Sequence, residues 1–308
     1  MESRSKQDAR LLLTSILLFF LFLYGSIDND AIETESASSE SQSQSQSASV
    51  VQKKSFVNEK APATLNPPTS PPTVKEFIEE KEEEGGAIRI LCFGDSLTAG
   101  IQGIRSKQGL APYGPYLEAA LKKLQPKSKE DGIIRPVCVN HTGLPGYTSY
   151  DLNHWSARHP PHLNQTLNTF KQEDGTSSLD MVIIMAGTND LLQQGWLDFN
   201  ISKSVISMHQ LVLDEHNIPL TIALDIPASQ YFAVDEKILK EKETLSQNLQ
   251  TYAKSELRAT FVPFPFPYYA DDNKWSKDGL HCSKSGYKQL AKSLAPEVQK
   301  SLQVAGLW

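Results

Sequence analysis

Ile88-Arg89-Ile90-Leu91-Cys92-Phe93-Gly94-Asp95-Ser96-Leu97 is the stretch on which the reading of the fold turns. Its first six residues are apolar apart from Arg89, as a strand buried on both faces requires. Gly94 then permits a tight turn, and Asp95 and Ser96 are residue types that cap a helix. A strand that ends in such a turn opens a βα unit.

The same grammar repeats downstream. Residues 137–140, 181–185, 220–224 and 260–264 are short apolar runs of strand type. Between them, residues 116–124, 201–216 and 237–257 carry apolar side chains at helical spacing, as Ile201, Val205, Met208 and Val212 do. Ser283 is placed to cap a final helix that holds Tyr287, Leu290 and Leu294. Five strands alternating with helices predict an α/β domain over residues 88–308, with a parallel five-stranded sheet between helical layers. Its ligand site is expected beyond the carboxyl ends of the strands.

Upstream of residue 88 the composition changes. Residues 1–10 read as a short cytosolic tail carrying Arg4, Lys6 and Arg10. Residues 11–27 are an apolar segment, either a signal anchor or a signal peptide. Its uncharged core of residues 11–24 is shorter than the roughly 20 residues of a spanning helix, and small residues are not paired as a cleavage site requires. Residues 28–87 are dominated by Ser, Gln, Glu, Pro and Lys and read as a flexible stalk with a short charged helix over residues 74–84. This layout places the folded domain in the secretory lumen or outside the cell, with membrane contact through the apolar segment if it is uncleaved. The sequons at Asn140, Asn164 and Asn200 are then candidates for glycosylation.

The net charge of -6 and a pI near 5.7 argue against a nucleic-acid partner, which draws a basic face. Three cysteines, Cys92, Cys138 and Cys282, leave at least one unpaired and make no disulfide framework. Cys92 and Cys138 are expected as small buried residues. His159 and His162 are separated by prolines and lack a carboxylate or cysteine partner nearby, so no metal is expected. His141, His154, His209 and His216 are expected as surface or packing residues.

Four segments carry the chemistry. Ser96 stands where a parallel strand ends and a site opens, although capping alone explains Asp95 and Ser96 equally well. Asp278-Gly279-Leu280-His281 places a carboxylate and an imidazole on one loop before the last helix. A serine hydroxyl needs such a base, and the base needs an orienting carboxylate. Asn189 in Gly187-Thr188-Asn189-Asp190 offers a side-chain amide, and Gly146 in Pro145-Gly146-Tyr147-Thr148-Ser149 a backbone N–H, as donors to an oxyanion. Turn chemistry explains Asn189 or Gly146 singly but not why all four segments fall after predicted strands or before the last helix. The apolar run of residues 261–269 is a candidate acyl-pocket lining, with core packing the use expected of its first half. The spacing around Ser96 is not the Gly-x-Ser-x-Gly elbow of the larger α/β-hydrolases, since Thr98 stands where the second glycine would be.

Phe93-Gly94-Asp95-Ser96-Leu97-Thr98-Ala99-Gly100, Gly146, Gly187-Thr188-Asn189-Asp190 and Asp278-Gly279-Leu280-His281 resemble the four blocks of the SGNH (GDSL) hydrolases, in the family's order. The resemblance implies a flavodoxin-like fold and hydrolysis of lipid, carbohydrate or small acyl esters without a cofactor or metal. It implies Ser96 as nucleophile, His281 and Asp278 as the rest of the triad, and Ser96, Gly146 and Asn189 as the oxyanion hole. Gly143, three residues before Gly146, fits the second block less well. The implied activity is a carboxylic ester hydrolase working through an acyl-enzyme, on an O-acetylated glycan or a lipid of the lysophospholipase-substrate type. An acyltransferase using the same triad, or a silent membrane-anchored binding protein, are the alternative readings.

Overall fold

The computed structural model describes residues 86–103, 109–125, 135–154, 162–193, 200–233, 235–269 and 272–308. The expected cytosolic tail, apolar segment and charged helix, and the stalk up to residue 85, lie outside them, as does His159. Among the described residues no helix is long and apolar enough to cross a membrane.

Five strands form one sheet: β1 (Ile88–Gly94), β2 (Val137–Gly143), β3 (Met181–Met185), β4 (Leu220–Leu224) and β5 (Ala259–Val262). All neighbours pair in parallel, in the order β2-β1-β3-β4-β5. This is the flavodoxin-like order, and the winding reverses between β1 and β3, so the crevice opens at their carboxyl ends. Gly94 is level with both Gly143 and Met185 across the sheet. The segments after β1, β2 and β3 therefore emerge side by side.

The expected strand over residues 260–264 is shorter in fact, because β5 ends at Val262 and Pro263 brings no N–H to the ladder. β3 and β4 are buried at every position, as strands covered on both faces must be. Burying each such Ile, Leu, Val or Phe contributes about 1.5–3 kcal/mol. Cys92 is buried as expected, whereas Cys138, on edge strand β2, is only half-buried, and all three cysteines are free thiols.

Helices α1 (Ser96–Ala99) and α2 (Tyr113–Leu124) follow β1; α2 starts earlier than expected, just after Pro112, whose φ is already fixed. After β2 come α3 (Ser149–Asn153) and α4 (Leu163–Asn168), and after β3 come α5 (Thr188–Leu192) and α6 (Ile201–Gln210). The helix expected to run to His216 widens into a π turn over Leu211–Glu215. The widening shows in the bond from His216 N to Leu211 O, and Asn217, at φ 49°, ends the helix. Asparagine tolerates that left-handed conformation. After β4 come α7 (Gln230–Ala233) and α8 (Glu236–Ser255), and after β5 comes α9 (Lys284–Val304). Ser283 caps α9 as expected, its Oγ accepting from Gly286 N. Helix α9 packs on α2, while α6 packs on α3 and α8.

Candidate active site

The turn after β1 is built for close approach. A Cβ on Gly94 would overlap the Met185 carbonyl at the end of β3. Asp95 caps α1, its Oδ1 accepting the Leu97 N–H at 2.9 Å. The capping role anticipated for that residue is therefore real. Ser96 is not a cap, because its hydroxyl meets His281 Nε2 at 2.9 Å.

His281 is in turn held by Asp278. Its Nδ1 lies 2.7 Å from Asp278 Oδ2. The other oxygen, Oδ1, accepts the backbone N–H groups of Leu280 at 3.0 Å and His281 at 3.1 Å. An acceptor at Nδ1 puts the imidazole hydrogen on that nitrogen, so the Nε2 lone pair faces Ser96 and the serine O–H donates to it. Burial pushes the Asp278 carboxyl up, but the hydrogen bond and charge of His281, with two backbone donors, outweigh it and hold the group below its ordinary range. The Asp278 carboxylate is therefore ionised at neutral pH.

The loop carrying both residues is a closed turn. Ser276 N donates to His281 O at 2.9 Å, and Gly279 N to Ser276 O at 3.0 Å. Gly279 sits at φ 68° with Gln230 packed against its Cα, so a side chain fits neither the conformation nor the space. Gln230 N also donates to Gly279 O at 2.9 Å, tying the turn to α7.

The segments after β2 and β3 lock to each other and to the Ser96 turn. Leu144 N donates to Gly94 O at 2.8 Å. Gly146, at φ 82°, turns the chain back toward α3. Asn189 Nδ2 donates one hydrogen to Tyr147 O at 2.8 Å, which fixes the amide plane beside Gly146 and leaves the second hydrogen for another acceptor. Among the described residues, Gly146 and Asn189 make no direct hydrogen bond to Ser96. They meet it through Leu144 and Tyr147 and through the level register of β1, β2 and β3.

Three residues left without a role by the sequence, Asp190, Thr148 and Asp151, complete this frame. Buried Asp190 accepts Ser149 N at 2.8 Å and Ser149 Oγ at 2.6 Å. Thr148 and Asp151 form a reciprocal capping box at the start of α3. The Thr148-to-Asp151 spacing was a visible signal of the cap. The partner of Asp190 is 41 residues away, and nothing local announces it.

Other expectations resolve more simply. His209 is buried, with Nδ1 2.7 Å from Thr221 Oγ1, and His216 is buried against Asn164. Phe261, Val262, Pro263 and Pro265 line a cavity of about 290 Å³ with Leu290 and Leu294, and no residue of the Ser96 cluster lines it. The cavity formed by the first half of that run is thus separate from the Ser96 cluster.

A buried hydroxyl hydrogen-bonded to an imidazole, itself oriented by a carboxylate, is the arrangement that makes serine a nucleophile. Fixed amide donors beside it suit a developing oxyanion. Among solved structures, an inhibitor-bound aryl esterase from M. smegmatis superposes with a TM-score of 0.50 at 19% identity, covering 70% of this chain and 100% of that one. A carbohydrate acetylesterase family member from Sinorhizobium meliloti superposes with a TM-score of 0.50 at 18% identity, covering 70% of this chain and 99% of that one. At such identities the likeness is one of fold. No curated protein matches the sequence. The model of the GDSL-like lipase/acylhydrolase family matches residues 92–289, and the chain belongs to that family, as a carboxylic ester hydrolase.

Proposed function

We propose that the chain hydrolyses its ester through an acyl-enzyme formed on Ser96, with His281 as general base and Asp278 as the carboxylate that orients it. The observation that carries this reading is the unbroken path from Ser96 Oγ to His281 Nε2 at 2.9 Å and from His281 Nδ1 to Asp278 Oδ2 at 2.7 Å.

In the first half-reaction Ser96 Oγ bonds to the ester carbonyl carbon while its proton passes to Nε2. The carbonyl oxygen becomes an oxyanion, and the N–H groups of Ser96 and Gly146 and the free hydrogen of Asn189 Nδ2 are its proposed donors. Each such donor is worth about 3 kcal/mol in comparable sites. Collapse breaks the bond to the alkoxy oxygen, which leaves with the proton from His281. Water, deprotonated by the same imidazole, then releases the acid.

The proposed substrate is a short acyl ester, first of all an O-acetyl group on a glycan. One observation supports the glycan: the N-terminal sequence reads as an anchor and stalk that would present the domain to lumenal or extracellular glycans. A lysophospholipase-type lipid is the second reading, and an acyltransferase would differ only in the acceptor that replaces water.

The experiment is active-site labelling of the full-length chain with a fluorophosphonate, alongside turnover of aryl acetate, aryl palmitate and acetylated xylan. Ser96→Ala and His281→Ala are expected to lose labelling and turnover. Labelling that survives in Ser96→Ala rejects the nucleophile, and palmitate turnover well above acetate rejects the short-acyl reading.

A further inference from the structure

Asp95 is more buried than a helix cap needs to be. It has no accessible surface, and capping α1 engages only Oδ1. Its Oδ2 is buried without a hydrogen bond of ordinary geometry, as is Thr188 Oγ1, whose hydroxyl, on the turn that carries Asn189, is near enough to favour the carboxylate. Thr98 Oγ1 and Tyr113 Oη, also buried beneath the Ser96 turn, are in the same state. Leaving a carboxylate oxygen buried without such a bond is costly, and each such group in a native structure calls for a reason.

We infer that Asp95 is a positioning residue for the ester reaction: its buried carboxylate, set between the Ser96 turn and Thr188, supplies a second negative charge that stabilises the His281 imidazolium alongside Asp278. This rests on the triad reading above. Asp278 bonds Nδ1 directly, whereas Asp95 acts through space from the residue preceding the nucleophile. When the Ser96 proton moves to Nε2 as the Oγ–C bond forms, the new positive charge develops in the field of both carboxylates.

The groups around Asp95 set its charge. Burial drives its carboxyl up to about 6, opposed by the Leu97 N–H, the Thr188 hydroxyl and the His281 charge, with Asp190 on α5 adding to the rise. Tyr113 on α2 and Tyr287 on α9 also face it, and burial keeps both phenols neutral by raising them well above their ordinary value. Cys92 on β1, pushed by burial to about 12, is neutral as well. Asp95 is therefore ionised at neutral pH and loses its charge in mild acid. Coupling between two ionisable groups is reciprocal, so the imidazolium that favours the carboxylate is favoured by it equally.

The test is the pH profile of kcat/KM for an aryl acetate in the full-length chain. Asp95→Asn keeps the cap, since asparagine caps as well as aspartate, and removes only the charge. It is expected to lower the plateau about 3- to 10-fold and to move the acid limb to lower pH by about half a unit to one unit, because the imidazolium loses a stabilising charge. Thr188→Val removes the hydroxyl that helps Asp95 ionise and is expected to move the onset of the plateau up by about half a unit. Asp95→Asn with an unmoved acid limb, whatever its plateau, reduces Asp95 to a cap and overturns the inference. If Asp95→Asn does not fold, an unmoved onset in Thr188→Val overturns it instead. Fluorophosphonate labelling of Ser96 in each variant separates this outcome from failure of the triad, which would show as an unlabelled Ser96 in the native chain.

Discussion

Asp278→Asn changes one atom of the proposed relay and leaves its frame in place. The carboxylate meets His281 Nδ1 at 2.7 Å through Oδ2 and accepts Leu280 N at 3.0 Å and His281 N at 3.1 Å through Oδ1. The amide oxygen of the variant still accepts the two backbone donors, so the turn from Ser276 to His281 persists. At the Oδ2 position the amide now presents N–H to Nδ1, which forces the imidazole hydrogen onto Nε2. That nitrogen then donates to Ser96 Oγ and no longer accepts its proton. The same change in a serine protease triad costs about 10⁴-fold in kcat, or about 5.5 kcal/mol of barrier. The fold loses less: one charge-assisted hydrogen bond, about 1.5–3 kcal/mol. That loss is itself pH-dependent. The Asp278 carboxyl is depressed in the folded chain, so its stabilisation is complete above the ordinary carboxylate range near 4 and fades as pH falls through the folded value. The assay is kcat/KM for an aryl acetate at pH 7.5, with the thermal midpoint measured in parallel at pH 7.5 and pH 3. A variant that keeps more than a tenth of native turnover refutes the relay. A variant whose deficit in midpoint is as large at pH 3 as at pH 7.5 refutes the linkage argument.

Further outcomes follow from the frame around Ser96. Asp190→Ala strips both partners from Ser149 and is expected to cost about 2–4 kcal/mol in urea unfolding; a loss below 0.5 kcal/mol would show that α3 is held otherwise. Gly143→Ala drives a Cβ into the Ala99 backbone and is expected to yield insoluble or strongly destabilised protein, whereas Gly86→Ala, with open space around it, should leave the thermal midpoint within about 1 °C. His209 is buried neutral and pushed down to about 3 by burial. The unfolded chain thus binds its proton first, and stability declines as pH falls from about 6.5 toward 3. His209→Gln is expected to flatten that decline in urea midpoints taken between pH 7 and 4, and an equally steep decline excludes His209 as its source.

The sequence alone determined the βα alternation, because strands buried on both faces must be continuously apolar and the helices between them must be amphipathic. β3 and β4 fall where the residues 181–185 and 220–224 place them. Local chemistry also determined the caps at Asp95 and Ser283, whose partners lie within three residues. The identity of the candidate triad was legible because turn glycines and strand ends isolate Ser96, Asp278 and His281 from the core pattern. Boundaries set by irregular backbone were less so, as the π turn at Leu211–Glu215 and the early end of β5 show. Only the tertiary structure decided what faces what. The bond of Asp190 to Ser149 and the burial of Asp95 beside Thr188 depend on the level ends of β1, β2 and β3. Gly94-Asp95-Ser96-Leu97 reads identically whether Ser96 caps a helix or attacks an ester. The difference is an imidazole 185 residues away, delivered to 2.9 Å by strand order and not by any local pattern.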